Sequence, residues 1–284
     1  MKLKENTGYK VFLVVNTIIM ILISVATLFP FVYLVAQSLS SEKEIIAGNV
    51  TLIPKGINLK TYIYVITEGE FIKYYKNTIL YTVVGTTLSL AFSSMLAYPL
   101  SKKELKATKI LTPFVIFTMY FGGGMIPNYI LVVKLGLNNT MAAFILPMMI
   151  STYYVLLMKS FFASTPKDLE EAGELDGLNK FGVFMRIVLP LSKPIIATMT
   201  LFYAVMYWNN WFQAFLYLRK DKWPVAYYLQ NIIRGAGAND ADAQQVATNI
   251  RSCSMVLTAL PIICVYPFIQ KYYVQGMMLG GVKE

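Results

Sequence analysis

The chain has 284 residues, 56% hydrophobic and 14% charged, with a net charge of +10 and a mean hydropathy of +0.55. Soluble domains carry roughly 25% charged residues, so an ordinary water-facing coat is excluded. With no histidine at all, the chain also lacks the commonest general base and metal ligand. The expectation is an all-α integral membrane protein with six transmembrane helices.

A membrane span needs about 20 mostly apolar residues, and six windows qualify, at about 11–37, 77–100, 110–133, 141–158, 195–218 and 253–270. The first runs from Val11 to Ala36 without a charge and without a clear small-residue cleavage site. The apolar part of a signal peptide is about 7–15 residues, so an uncleaved anchor is expected. Lys2, Lys4 and Lys10 place the N-terminus in the cytoplasm by the positive-inside rule, and six spans return the C-terminus to that side. The segments assigned to the cytoplasm hold fourteen Lys and Arg against eleven opposite, a small bias of the right sign.

In the third window, "MYFGGGMIPNYILV" sets Gly122, Gly123 and Gly124 ahead of Pro127. Glycine and proline weaken a helix, and broken backbone at membrane depth is tolerated only against protein or a water-filled cavity. The site is either a kink beside a translocation path, with Gly123 on it, or a packing kink under a neighbouring helix.

Between the fourth and fifth windows lies "TPKDLEEAGELDGLNKFGVFMRIVLPLSKP", residues 165–194. Thr165 suits an N-cap, Pro166 a first turn, and Asp168 the positive end of the helix dipole. A helix is therefore predicted over about 166–175, ended by Gly177 in the left-handed conformation. A second short helix follows over about 179–188, before Pro190. In the first helix Leu169, Ala172, Gly173 and Asp176 share one side, while Glu170, Glu171 and Glu174 present charge elsewhere. Small residues there admit close approach, as for a short helix seated in a neighbour's groove; the alternative is a solvated connecting loop.

The fifth window carries "FYAVMYWNNWFQAFLYL", which crowds Tyr203, Tyr207, Trp208, Asn209, Asn210, Trp211 and Gln213 into three turns. A buried, unpaired amide costs about 1–3 kcal/mol, so these side chains need partners. On a continuous helix positions 203, 207, 210 and 214 share one face and 208 and 211 another. Rings and amides together make a surface for stacking sugar rings and pairing hydroxyls, or else an interfacial aromatic belt. In the sixth window Cys253 and Cys264 would stand about 16 Å apart on a helix, too far for a disulfide.

The six windows contain no Asp, Glu, Lys or Arg, and the chain has no phosphate-binding loop of the form G-x-x-x-x-G-K-[ST]. Carriers that power themselves generally bury such charges. A self-contained carrier or channel is therefore disfavoured, and uphill transport requires a partner that supplies the energy.

The run Glu171-Ala172-Gly173-Glu174-Leu175-Asp176-Gly177, followed by Leu189-Pro190, resembles the EAA loop of bacterial ABC importer permeases, with Gly173 in place of the usual second Ala. "YWNNWFQAFLYL" and the tail "QGMMLGGVKE" are similar to the carbohydrate branch of the maltose-type family, nearest to permeases for oligosaccharides delivered by a lipoprotein. The resemblance extends over nearly the whole chain. It implies a type I permease fold and a single permease domain over 1–284, with a cytoplasmic coupling loop at about 164–192 and a tail at about 272–284 that reaches toward the ATPases. It also implies a transport subunit rather than an enzyme, in the bacterial inner membrane, with no cofactor of its own. ATP and magnesium would sit on two partner ATPase subunits. The other implied partners are a homologous second permease, with which this chain forms a heterodimer as the smaller subunit, and an extracytoplasmic solute-binding protein. Membrane lipid surrounds the chain, and no nucleic-acid partner is expected. Coupling falls to Glu170, Glu171, Ala172, Gly173, Asp176, Gly177 and Pro190. The net charge, with Arg219, Lys220, Lys222 and Arg234 in an outer loop, points to an acidic oligosaccharide such as a uronide.

Overall fold

The computed structural model describes residues 7–67, 70–235, 249–265 and 267, and among them there is no strand. The chain-order elements are α1 (Thr7–Leu39), α2 (Glu42–Ile46), α3 (Lys60–Thr67), α4 (Phe71–Ser101), α5 (Thr108–Tyr120) and α6 (Met125–Lys134). There follow α7 (Met141–Met148, its last turn 3-10), α8 (Thr152–Ala163), α9 (Lys167–Leu175), α10 (Lys180–Leu191), α11 (Lys193–Trp208), α12 (Phe212–Tyr217), α13 (Val225–Gly235) and α14 (Asn249–Val265). The described residues divide into two compact units, one drawn from Met1–Phe71 and Asn231–Ala259, the other from Ile72–Gln230 and Leu260–Glu284.

Among the described residues, only α1 and α4 are single helices long and apolar enough to cross a membrane. The third predicted window is broken: α5 and α6 meet at 109°. Gly124 there has φ +86, and a Cβ added at Gly122 would meet nothing within 4 Å. The fourth is bent by 55° between α7 and α8, and α10 turns by 83° into α11. The sixth window is represented by α14, and the predicted tail at 272–284 lies outside the described residues.

In the first unit, the end of α1 is tied by polar contacts. Ser38 and Tyr62 hydroxyls lie 2.7 Å apart, Ser252 donates to Gln37 (2.8 Å), and Asn249 donates to Thr61 (3.0 Å). Cys253 is buried with its thiol directed at the Ser38 carbonyl, and Cys264 is exposed, so the two cysteines are free as expected.

The second unit holds a core of Tyr81, Phe144, Met158, Phe162, Phe184, Tyr203 and Tyr207 with smaller apolar side chains. Its organising feature is the seam between α4 and α11. Gly85 lets α4 come so close that a Cβ there would stand 2.7 Å from the Tyr207 ring. The tyrosine hydroxyls, costly to bury alone, reach Ser89 (2.9 Å) and Ser93 (2.6 Å) on α4. The Tyr203 hydroxyl also accepts from the Ser151 amide at the α7–α8 bend, and the Tyr207 hydroxyl donates to the Ile145 carbonyl in α7. The seam thus fixes three helices at once.

Candidate functional site

Helix α9 begins at Lys167, one residue later than predicted, and Thr165 makes no capping bond; Pro166 occupies the N-cap position. Its C-terminal end follows the expected chemistry. Gly177 has φ +85, its amide donates to the Glu174 carbonyl, and the Leu178 amide donates to the Gly173 carbonyl. This pair of bonds is the Schellman arrangement that turns a chain sharply away from a helix. Asn179 then caps α10, its side chain accepting from the Gly182 amide (2.7 Å).

Pro190 does not stop the second helix, contrary to the sequence reading. The chain widens into a π turn over Phe184–Val188 and continues through Leu189–Leu191. A proline lacks the amide proton and crowds the carbonyl four residues back, and a widened turn immediately before it accommodates both.

Two residues of α9 depart from the predicted faces. Glu170 and Gly173 point inward, and Leu169, Glu171, Ala172, Leu175 and Asp176 are exposed, Leu175 at 90% of its surface. Glu170 is 8% exposed because its carboxylate is held inside the chain. It forms an ion pair with Lys102, just beyond α4, and accepts from the Tyr98 hydroxyl (3.0 Å). Lys102 in turn lies 4.6 Å from the centre of the Tyr98 ring. Removing one member of a fully buried pair generally costs about 3–5 kcal/mol, because the other charge is stranded; with the Lys102 side chain 23% exposed, the cost here is smaller. A cavity of about 510 Å³ adjoins the pair, with Met95, Leu105, Phe181 and Phe184 among its lining. At the surface, Lys167 pairs with Glu104 and Lys180 with Glu174. The hydrogen bond from Lys167 holds the Glu104 carboxyl below the usual range, and the bond to Glu174 raises the Lys180 ammonium.

The neighbour that approaches Gly173 closely is this chain's own α10: a Cβ on Gly173 would collide with Cδ1 of Ile187, with Leu178 and Val183 just beyond. Because that methyl ends a flexible side chain, it can swing aside. Gly173→Ala is therefore expected to hold stability within about 1 kcal/mol, the gain in helix propensity offsetting the displaced contact. Gly173→Leu, with no room for its branches, should lower the unfolding midpoint in detergent clearly; equal midpoints for the two variants would refute this packing.

The aromatic and amide group of the fifth window is not one continuous helix. α11 ends at Trp208, the chain turns through Asn209–Trp211, and α12 starts at Phe212. Consecutive asparagines favour local backbone bonds over helix continuation. Asn210 accordingly accepts from the Gln213 amide (3.1 Å) and places its own amide 2.9 Å from the Met148 sulfur. The one-face alignment of 203, 207, 210 and 214 is therefore corrected. Tyr203 and Tyr207 are buried in the seam, and Trp208 packs edge-on to Tyr75 with ring centres 5.7 Å apart. Asn209 is exposed and Trp211 half-buried, while the Gln213 Oε1 is buried with no hydrogen-bond partner among the described residues. Gly123 lies apart from this group, in the open break between α5 and α6.

The basic segment after α12 forms a fastened strap over 218–224. Asn77 donates to the Trp223 carbonyl (3.0 Å), Tyr81 to the Lys222 carbonyl (2.9 Å), and the Arg219 amide to the Asn139 side chain (3.0 Å). Asn139 adopts φ +56, and its carbonyl accepts from Lys222 Nζ (2.6 Å). Arg234 falls in α13 rather than in this strap.

Sequence reasoning missed Lys102, Tyr98, Ser89 and Ser93. The Glu170 contacts span 68 and 72 residues of sequence, beyond the reach of helical periodicity.

Among the described residues the chain is all-helical, with broken spans, a short capped helix beside its core and a polar break in an apolar helix, an arrangement that fits a membrane transport subunit. Residues 4–279 match the family of binding-protein-dependent transport system inner membrane components, and the chain belongs to that family. It is 41% identical to Protein LplC of Bacillus subtilis (strain 168), over 96% of this chain and 95% of that protein. It is 38% identical to the polygalacturonan/rhamnogalacturonan transport system permease protein YtcP of the same organism, over 89% and 92%. Among solved structures it is similar to a chain of a bacterial ABC transporter involved in the import of the acidic polysaccharide alginate, with a TM-score of 0.88, 31% identity and coverage of 94% and 98%.

Proposed function

We propose that this chain is one of two permease subunits in an ATP-driven importer of acidic oligosaccharides, with both termini and α9 on the cytoplasmic side. In this reading α9 docks on one of two ATPase subunits, which hold ATP and magnesium, while an extracytoplasmic binding protein delivers the sugar to the opposite face. The observation that carries the docking is the outward face of α9. Its Glu170 and Gly173 are engaged internally, yet Leu169 and the 90% exposed Leu175 stand out beside Glu171 on a helix fixed at its end by Gly177. Exposed leucines on a rigid, charged helix suit a partner groove that is apolar at its floor and basic at its rim. Glu171, Ala172, Asp176 and Gly177 form the docking surface, and Gly173, Glu170 and Pro190 act from within the chain.

Asn209, Trp211 and Gln213 at the α11–α12 break are the sugar-facing candidates: Asn209 is exposed and Trp211 half-buried, whereas the buried Gln213 Oε1 would have to turn outward to accept a sugar hydroxyl. Tyr203, Tyr207, Trp208 and Asn210 support that break, and Gly123 marks a second opening in the path. Acidic sugar is favoured by the basic strap of Arg219, Lys220 and Lys222 and by the acidic polysaccharides named for two similar proteins.

The test is ATP hydrolysis by the assembled importer in proteoliposomes, with the binding protein loaded with tetragalacturonate or with neutral maltotetraose. Severalfold greater stimulation by the uronate is expected. Equal stimulation by the neutral sugar would remove the acidic assignment, and no stimulation by either would remove oligosaccharide import.

A further inference from the structure

Of the acids in the coupling segment, Glu170 alone is turned inward and engaged at both carboxylate oxygens by its own chain. Lys102 binds both oxygens, and Tyr98 donates to one. Both partners belong to the end of α4. Tyr98 lies within it, wedged against the rings of Phe184 (centres 4.9 Å apart) and Phe162 (6.4 Å). Lys102 follows its last residue, where the Lys102 amide donates to the Pro99 carbonyl and the Ser101 hydroxyl to the Tyr98 carbonyl. The lysine therefore extends from a closed helix end and not from a slack loop.

A buried ion pair seldom adds more net stability than apolar side chains of the same size. What it does supply is geometry, since two oxygens held by one ammonium and one hydroxyl fix the direction of α9 against α4. The same α4 carries Ser89 and Ser93, which bond the two buried tyrosines of α11. Ser89 lies thirteen residues from Lys102, about 20 Å along a helix. One helix, with Pro99 in its last turn, thus connects the carboxylate of α9 to the tyrosines next to the Asn209–Trp211 break.

We propose that Glu170 and Lys102, seated on Tyr98, form a joint through which displacement of α9 is passed to α4, so that both are positioning residues for coupling. The inference rests on α9 being the ATPase contact. Glu170 acts here through α4 and does not touch the ATPase, a role distinct from that of the exposed Glu171 and Leu175. The open cleft of about 510 Å³ beside the pair leaves one side of the joint unpacked, whereas a fully packed contact would have to shear its neighbours.

The experiment measures sugar imported per ATP hydrolysed by the assembled importer in proteoliposomes, using labelled tetragalacturonate with a maltotetraose arm in parallel. Loss of folded transporter lowers both rates together and leaves this ratio unchanged, so a merely structural role does not move it. Glu170→Gln and Lys102→Met are each expected to lower the ratio by roughly fivefold or more, the lower end of ordinary coupling energies. Lys102→Arg, which keeps charge and reach, should retain most of the ratio, and exchanging the charges (Glu170→Lys with Lys102→Glu) should restore part of it. An unchanged ratio in both neutral variants overturns the joint, as does a proportional fall in both rates without recovery by Lys102→Arg. If the wild type imports neither sugar, the functional reading fails and takes the joint with it; wild-type import with unchanged ratios removes the joint alone.

Discussion

Replacing Gly177 with valine is expected to cut ATP-driven uptake by roughly tenfold or more, because a β-branched residue is strongly disfavoured in the left-handed conformation. At φ +85, Gly177 closes the Schellman turn between α9 and α10. Valine would push the turn open, free the amide bonds to Glu174 and Gly173, and re-aim the helix that carries Leu175 and Glu171. The core around Phe184 and Tyr203 lies outside that turn, so the chain should still reach the membrane. Uptake, membrane abundance and co-purification of the ATPase subunits, measured together, check this. Wild-type uptake by the valine variant would show that the angle of α9 is unimportant.

The largest loss of stability is expected at Tyr207. Truncation to alanine empties the space between Gly85 and Phe144 and deletes the hydroxyl that bridges Ser89 and the Ile145 carbonyl. Removing a buried aromatic side chain typically costs about 3–5 kcal/mol, while Tyr207→Phe removes only hydrogen bonds, worth about 1 kcal/mol each. Denaturant unfolding in detergent should order the proteins as wild type, Tyr207→Phe, then Tyr207→Ala, with the second step the larger. An alanine variant as stable as wild type would mean that the seam between α4 and α11 does not hold this unit together.

How much of this was legible depended on the range of the interactions. The long helices α1 and α4 are written in uninterrupted apolar runs. The break at Gly122–Gly124 and the turn at Gly177 are written in glycine, where backbone freedom is a property of the residue itself. The stop at Asn209 also had a local sign in the adjacent asparagines, but the apolar and aromatic periodicity around them outweighed it. Pro190 misled because a single π turn lets a helix absorb a proline, and no residue type announces that turn. The orientation of Glu170 could not be read at all. A carboxylate in an amphipathic stretch looks solvated until a lysine and a tyrosine from a distant helix are found beside it. Glu170 and Gly173 were misplaced for that reason, and the closeness at Gly173 serves α10.

The strap over 218–224 has a thermodynamic corollary. A loop anchored to Asn77, Tyr81 and Asn139 has surrendered its freedom during folding, so an anionic ligand that meets it need immobilise little further backbone. On such a surface, long-range charge attraction acts mainly on the rate of arrival.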